Sequence, residues 1–244
     1  MKNKPILLAH RGYSAKYPEN TLLAFSKAFE KKADGMECDL QKSKDNKFVI
    51  IHDDKVDRTT DKKGMVNQLT LKELKKCTID RTEKILELTE LLSSIPDGKF
   101  VNIEIKKETI LEDDCPGILK IILKYLKKDN LLISSFSEKL LYYFKEHGVK
   151  IGLLVDEKYR KLGAFKFFKV MLKTMPDYVN LPILMFKELG VIISYIIIIL
   201  IKIFGRKICF WSVNKEKELK RIIKYSDIII SDEIEFIYNA LNKF

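Results

Sequence analysis

The sequence predicts a single (β/α)8 barrel with a small insertion after the second strand. Eight short apolar segments have the length and composition of buried strands, and a longer segment with helical periodicity follows most of them. Strands that alternate with helices are typical of a parallel sheet, and eight repeats in 244 residues favour closure into a barrel. The predicted strands are Ile6–Ala9, Gly35–Leu40, Val101–Ile105, Leu131–Ser134, Lys150–Val155, Tyr178–Leu181, Ile208–Val213 and Asp227–Ser231.

One domain, residues 1–244, accounts for the whole chain, because a chain of this length can bury one large core. An open doubly wound sheet is the alternative. No glycine-rich phosphate loop follows the first predicted strand, which favours the barrel. The polar residues of the candidate site fall at or near the carboxyl ends of predicted strands, where barrel active sites are built.

The insertion covers residues 47–98 and interrupts the alternation of strands and helices. The run Lys47–Asp53 predicts an extra short strand that brings His52 to the pocket. A helix is predicted to begin after Thr70, with Glu73 at the offset required for a capping box.

Two pairs of charged residues are spaced one residue apart within predicted strands. Alternate strand residues point to the same side, so Glu37 and Asp39 share one face, and Glu104 and Lys106 share another. Three carboxylates and an ammonium group converge if both strands line one pocket. Hard oxygen ligands suit Ca²⁺ or Mg²⁺ better than Zn²⁺, so the pattern predicts one divalent metal ion. Solvated charges on an exposed sheet face are the alternative.

His10, Arg11 and His52 lie beside these carboxylates in the sequence. Imidazole can donate or accept a proton near neutral pH, and a metal ion with nearby cations can neutralise charge on phosphoryl oxygens. The set therefore predicts hydrolysis of a phosphodiester, without deciding which histidine is the acid. The third histidine, His147, lies at a predicted helix end and is expected to have no catalytic part.

The order and separation of eight short motifs resemble the glycerophosphodiester phosphodiesterase family, within the phosphatidylinositol phospholipase C-like phosphodiesterase superfamily. The resemblance runs from Leu7 to about Asp232. The motifs are His10–Gly12, Pro18–Thr21, Glu37–Asp39, His52–Asp53, Asp57–Thr60, Asn102–Lys106, Ser134–Phe136 and Trp211–Asn214. Two departures are a short segment between Thr78 and Leu88, and the lack of a glycine before and a proline after the last strand.

The resemblance implies metal-dependent hydrolysis of glycerophosphodiesters to sn-glycerol 3-phosphate and an alcohol. The implied roles are acid and base for His10 and His52, metal binding for Glu37, Asp39 and Glu104, and substrate contact for Arg11, Lys106 and Trp211. A lysophospholipase D-like activity at a membrane surface is one alternative. A catalytically idle barrel that binds a membrane or a protein is another, although such a barrel would be expected to have lost some of these residues.

The charge and the cysteines restrict partners and location. The formal net charge is +11, but the lysines are widely spread and no nucleic-acid-binding motif is present, so no nucleic acid is expected as a partner. Four cysteines without paired spacing indicate free thiols in a reducing compartment. The N-terminus runs directly into the first strand, which predicts no signal peptide and a cytoplasmic location.

Residues 161–204 contain two unusual neighbouring segments. Lys161–Lys173 mixes lysines with phenylalanines, and Leu189–Ile201 is apolar almost all round. Thirteen helical residues reach about 20 Å, against roughly 30 Å of bilayer hydrocarbon, so a transmembrane helix is disfavoured. The hypothesis is a peripheral contact with the inner membrane surface. The alternatives are a homodimer interface, a well-buried helix, and an isoleucine run that is partly strand.

Overall fold

The computed structural model describes residues 4–155 and 164–243, so that residues 161–163 of the basic aromatic segment lie outside the described residues. Eight parallel strands close into a barrel, because β1 pairs with both β2 and β10. The strands are β1 (Ile6–His10), β2 (Gly35–Lys42), β3 (Phe48–Ile50), β4 (Leu86–Glu87), β5 (Phe100–Ile105), β6 (Leu131–Ser135), β7 (Lys150–Leu154), β8 (Tyr178–Pro182), β9 (Lys207–Trp211) and β10 (Ile228–Ser231). The predicted (β/α)8 barrel is confirmed.

Helices cover the outside of the barrel. Those in the described ranges are α1 (Leu22–Glu30), α2 (Leu71–Leu74), α3 (Leu88–Ser94), α4 (Cys115–Ile122), α5 (Glu138–Glu146), α6 (Ala164–Thr174), α7 (Met185–Glu188), α8 (Val191–Ile203), α9 (Glu216–Ile222) and α10 (Ile234–Leu241). Short 3-10 turns occur at Val66–Gln68, Glu112–Asp114 and Lys128–Asn130. The isoleucine run is therefore a helix and not a strand.

The insertion after β2 is present and forms its own small core. β3 pairs antiparallel with β2, and the unpredicted two-residue strand β4 pairs antiparallel with β3. Thr70 caps α2 through the predicted capping box with Glu73. The core of the insertion consists of Val49, Ile51, Val56, Val66, Leu74, Cys77, Ile79 and Ile85. This core anchors the chain on both sides of His52.

The strands are apolar on both faces because helices cover the outside while side chains fill the inside. A buried layer closes the barrel interior and includes Leu8, Phe100, Leu132, Tyr178, Cys209, Ile228 and Ile230. β2 approaches β5 closely here, since a Cβ at Gly35 would lie 1.9 Å from the carbonyl oxygen of Phe100. Only glycine permits this approach of the two strands.

Two smaller predictions are also confirmed, the free thiols and the position of His147 at a helix end. Cys38, Cys77, Cys115 and Cys209 are buried free thiols. His147 lies at the C-terminal cap of α5, exposed and stacked on Tyr143. Within the described ranges, no helix is long and apolar enough to cross a membrane.

Candidate active site

The polar residues at the carboxyl ends of the barrel strands surround a narrow cavity of about 80 Å³. Seven of the eight predicted site residues line it: His10, Arg11, Glu37, His52, Glu104, Lys106 and Trp211. The eighth, Asp39, is buried beneath the wall and contacts Arg11 and Lys106. Residues to which the sequence assigned no role complete the lining, namely Asn102, Ser134, Phe136, Leu154 and Ile230.

The His-Arg-Gly motif forms a tight turn between β1 and α1. The backbone N–H of Arg11 donates to the Glu37 carbonyl oxygen at 3.0 Å and to Glu37 Oε2 at 3.1 Å. Gly12 has a φ of +85°, and a Cβ there would lie 2.6 Å from Ala24 of α1. Glycine is therefore required for the turn that places His10 and Arg11 at the cavity.

Three acidic side chains meet at the base of the site. Asp39 of β2 lies in register with Glu104 of β5, and carboxylate oxygens of Glu37, Asp39 and Glu104 lie within 4.8 Å of one another. Burial and the charge of Asp39 raise the pKa of Glu37. Burial also raises the pKa of Glu104, although Lys106 opposes this shift. The fold thus concentrates negative charge at a point removed from water.

Two side-chain cations oppose this charge. Lys106 Nζ lies 2.8 Å from Asp39 Oδ1 and 2.5 Å from Glu104 Oε1, and Arg11 Nε lies 3.2 Å from Asp39 Oδ2. Burial alone would raise the pKa of Asp39, but Lys106 and Arg11 outweigh it and lower the pKa. Three carboxylates against two cations leave a surplus of negative charge. A hard divalent cation fits this all-oxygen donor set and would keep Glu37 and Glu104 ionised.

His10 is held by a carboxylate from the opposite end of the chain. Its Nδ1 lies 2.6 Å from Asp232 Oδ1, which leaves Nε2 for the cavity. Asp232 also accepts hydrogen bonds from Ser14 and from the amide of Asn214. Burial lowers the pKa of His10, but the bond to Asp232 and the charge of Glu37 outweigh burial, so the net pKa is raised. The site therefore favours the imidazolium form of His10.

His52 has a similar partner in a different electrostatic setting. Its Nδ1 lies 2.7 Å from Asp53 Oδ1, and Asp53 in turn accepts from Arg58 at 2.6 Å and 2.9 Å. Arg58 also pairs with Glu19, which pairs with Arg11 at 3.0 Å. The hydrogen bond from Arg58 lowers the pKa of Asp53 to about 2. Asp53 thus shares its charge with a cation, whereas the partners of Asp232 other than His10 are neutral.

The geometry explains motif residues to which the sequence assigned no role. Asn20 donates to Asp39 Oδ2 at 2.9 Å, and Thr21 caps α1 by accepting from the Ala24 N–H. The side-chain oxygen of Asn214 accepts from the Asp232 N–H at 2.9 Å. Glu19, Arg58 and Asn214 lie inside the matched motifs, so their presence was visible in the sequence. For Asp232, the sequence indicated only that it lies at the end of a predicted strand.

Asp232→Asn is expected to lower activity by about tenfold at mildly alkaline pH and much less at mildly acidic pH. Loss of the anion removes the bond that raises the pKa of His10, so its protonated form disappears at lower pH. The alkaline limb of the kcat profile should therefore move to lower pH. Asp97→Asn, at an exposed position, is the control. An unshifted limb would show that Asp232 supports structure only.

Comparison with known proteins identifies the family to which the chain belongs. A profile of the family described as "Glycerophosphoryl diester phosphodiesterase family" matches residues 10–235. The chain belongs to this family. A glycerophosphodiester phosphodiesterase of Caldanaerobacter subterraneus subsp. tengcongensis is 35% identical over 98% of this chain and 99% of its own length.

Solved structures of phosphodiesterases have the same fold. A glycerophosphodiester phosphodiesterase from Thermotoga maritima is 34% identical with a TM-score of 0.82, over 98% of this chain and 99% of that one. An Oleispira antarctica phosphodiesterase in complex with the product sn-glycerol 3-phosphate is 25% identical, with a TM-score of 0.85. The match covers 98% of this chain and 97% of that one. The resemblance inferred from the motifs is confirmed, and the chain is a phosphodiesterase. The roles of individual site residues stay predictions.

Proposed function

We propose that this enzyme hydrolyses glycerophosphodiesters to sn-glycerol 3-phosphate and an alcohol. The observation that carries the proposal is the pairing of both cavity histidines with carboxylates, His10 with Asp232 and His52 with Asp53, beside the acidic cluster. Two oriented imidazoles beside a candidate metal site are the parts that phosphodiester hydrolysis requires. The Oleispira antarctica relative with bound sn-glycerol 3-phosphate supports the choice of product.

One divalent cation, Ca²⁺ or Mg²⁺, would be held by Glu37, Asp39 and Glu104. When bound, it would polarise a phosphoryl oxygen and neutralise charge that develops there. Lys106 contacts two of these acids and lines the cavity, where its ammonium group would meet the substrate phosphate. Arg11 neutralises Asp39 from the other side and reaches the cavity. Both cations would then bind the anionic phosphodiester, as the sequence predicted.

The two histidines divide the proton transfers. His10, whose carboxylate partner has otherwise neutral neighbours, holds a proton and donates it from Nε2 to the oxygen of the departing alcohol. His52 takes the proton of the attacking hydroxyl. If that hydroxyl is water, glycerol 3-phosphate forms directly; if it belongs to the glycerol part of the substrate, a cyclic phosphate forms and water must then open it. Asp53, whose charge is shared with Arg58, orients His52 through Nδ1. The proposal thus gives the role of acid to His10, the histidine whose pKa the fold raises.

The wall of the cavity would select the organic part of the substrate. Trp211 is half-buried, and its indole N–H donates to the Asn180 carbonyl oxygen at 3.2 Å, which fixes the ring. Trp211, Phe136 and Leu154 supply an apolar wall among the residues that line the cavity. This wall would pack against the carbon atoms of the glycerol or of the alcohol.

The buried free thiols support the proposed cytoplasmic location.

The test is release of sn-glycerol 3-phosphate from glycerophosphocholine and glycerophosphoethanolamine. Turnover is expected with Ca²⁺ or Mg²⁺, and a loss of at least about 10²-fold is expected in EDTA, restored by excess metal. Lysophosphatidylcholine in micelles tests the lysophospholipase D-like alternative in the same assay. Turnover of the lysolipid alone would replace the proposal, and no turnover of any of the three would favour the idle barrel.

A further inference from the structure

One face of α8 is apolar and exposed to solvent. Ile192, Ile196, Ile199 and Ile203 follow one another at intervals of four, three and four residues, so they form a continuous stripe along the helix. Their exposed fractions are 77%, 51%, 47% and 71%. We refer to these four residues as the isoleucine stripe. A side chain of this size is normally turned inwards on the outer helix of a barrel.

The opposite face of α8 packs against the barrel, so the helix has one orientation and the stripe lies on its outer side. Ile198 and Ile201 are fully buried against the barrel, and Ser194 donates from its hydroxyl to the Gly190 carbonyl oxygen at 2.7 Å. α8 is thus seated in a defined rotation. Ser194, Ile198 and Ile201 form the buried inner face of α8, whereas the barrel does not cover the isoleucine stripe.

Basic side chains are exposed on the two helices that precede α8 in the chain. Lys166, Lys169 and Lys173 lie on one exposed face of α6, and Lys187 is exposed on α7. The Phe168 ring of α6 lies 6.0 Å from the Phe204 ring at the end of α8, so the two helices are neighbours. Residues 164–207 contain seven basic and two acidic side chains, a surplus of five. We refer to the four lysines as the basic rim.

The stripe begins at the end of the barrel that holds the candidate active site. Trp211 of the cavity wall lies in register with Pro182, the last residue of β8. Leu184 follows two residues later with 58% of its surface exposed, and Val191 opens α8 at 44%. An apolar surface therefore runs from the rim of the cavity down the side of the barrel.

We propose that the isoleucine stripe and the basic rim dock the enzyme on the surface of an anionic phospholipid bilayer. The stripe would enter the boundary between headgroups and acyl chains, while the basic rim would lie against lipid phosphates. A second copy of the chain fits this face less well. The surplus of positive charge in residues 164–207 would repel the same residues of a second copy, whereas it attracts lipid phosphates. The docked face would hold the cavity next to the lipid.

The test is co-sedimentation of the full chain with vesicles in low salt, without substrate. Binding is expected to vesicles of phosphatidylglycerol mixed with phosphatidylcholine, with little binding to phosphatidylcholine alone and weaker binding in high salt. Ile192→Ser with Ile196→Ser should lower the partition coefficient by about tenfold or more, and Lys166→Glu with Lys169→Glu should do the same. Leu123→Ser with Tyr125→Ser, two exposed apolar positions at the end of α4, is the matched control and should bind as the wild type does.

Hydrolysis of soluble glycerophosphocholine should be unchanged in the two isoleucine and lysine variants, which separates this proposal from the proposed function. Circular dichroism and melting of each variant check folding. No binding of the wild type to anionic vesicles in low salt would overturn the proposal. So would a dimer in sedimentation equilibrium that Ile192→Ser with Ile196→Ser converts to monomers, because a second copy would then cover the face.

Discussion

Alanine at His10 or at His52 is expected to reduce turnover of glycerophosphocholine by about 10²–10⁴-fold, the range typical of a lost general acid or base. Both side chains line the cavity, and each is oriented through Nδ1 by a carboxylate. The effect should fall on kcat more than on KM, because the proton transfers occur in the transition state. His147→Ala provides the matched control, since this exposed histidine lies at a helix end outside the site.

A substrate with a good leaving group distinguishes the acid from the base. The glycerophosphate diester of p-nitrophenol releases a stable phenolate that needs no proton. His10→Ala is therefore expected to recover most of its lost activity with this substrate, whereas His52→Ala should not recover. Recovery in the His52 variant instead would reverse the two roles. Equal and unrecovered losses in both would indicate that the histidines bind the substrate or support the structure.

The barrel itself could be predicted from the sequence because its strands are buried on both faces. Continuous apolar runs mark such strands, and all eight predicted positions overlap the observed ones. The acids could be predicted from spacing alone, since alternate residues of β2 point the same way and Glu37 therefore lies beside Asp39. Glu104 joins them through the register of β2 with β5, which the sequence indicates only by its pattern of strands.

The residues that orient the histidines could not be predicted in the same way. Asp232 lies 222 positions from His10, and the two meet only because β10 pairs with β1 when the barrel closes. Arg58 and Glu19 meet through the fold of the insertion, which depends on its own small core. Two residues are too few for a strand signal, so β4 was not predicted. Local pattern carries no information about such long-range pairings.

The position of the isoleucine stripe also required the structure. The run was recognised as apolar almost all round, and no periodicity distinguished an inner face from an outer one. The contacts of Ser194, Ile198 and Ile201 fix the rotation of α8 and leave Ile192 and Ile196 outside. What the sequence did indicate was that a helix so apolar requires a cover on its outer face.

Glu37→Gln is expected to abolish metal-dependent turnover and to weaken binding of the divalent cation by about tenfold or more. The variant keeps the size of the side chain and an oxygen that can accept from the Arg11 N–H. It removes one of the three anionic ligands of the proposed site. Calorimetric titration with Mg²⁺ or Ca²⁺ measures the affinity. Trp211, the single tryptophan of the chain, lines the same cavity and offers a fluorescence signal for the titration. Glu146→Gln on the exposed end of α5 is the control.

Stability should respond to Glu37→Gln in opposite directions with and without metal. The pKa of Glu37 is raised in the fold by burial and by Asp39, so at pH values above its unfolded pKa the carboxylate destabilises the metal-free protein. Glutamine removes that cost, and the metal-free variant should gain on the order of 1 kcal/mol, about 2–4 °C in Tm for a chain of this size. At free metal a hundredfold above the wild-type Kd, the wild type should gain about 2.7 kcal/mol and a variant that binds tenfold more weakly about 1.4 kcal/mol. The wild type is then the more stable protein by about 0.3 kcal/mol, and by more if the variant binds metal more weakly still, so the order of the two proteins reverses.

This reversal separates a metal ligand from a structural carboxylate. If Glu37 served mainly to accept from the Arg11 N–H, glutamine would leave the metal-free Tm unchanged or lower it, and metal would stabilise both proteins alike. If Glu37 is a ligand, the variant melts at a higher temperature than the wild type without metal, and the wild type melts at a higher temperature than the variant with metal. Thermal melts of both proteins in EDTA and in excess Mg²⁺ distinguish these cases without measuring activity. The three crowded carboxylates would then be a cost that the folded chain carries in order to bind its cation.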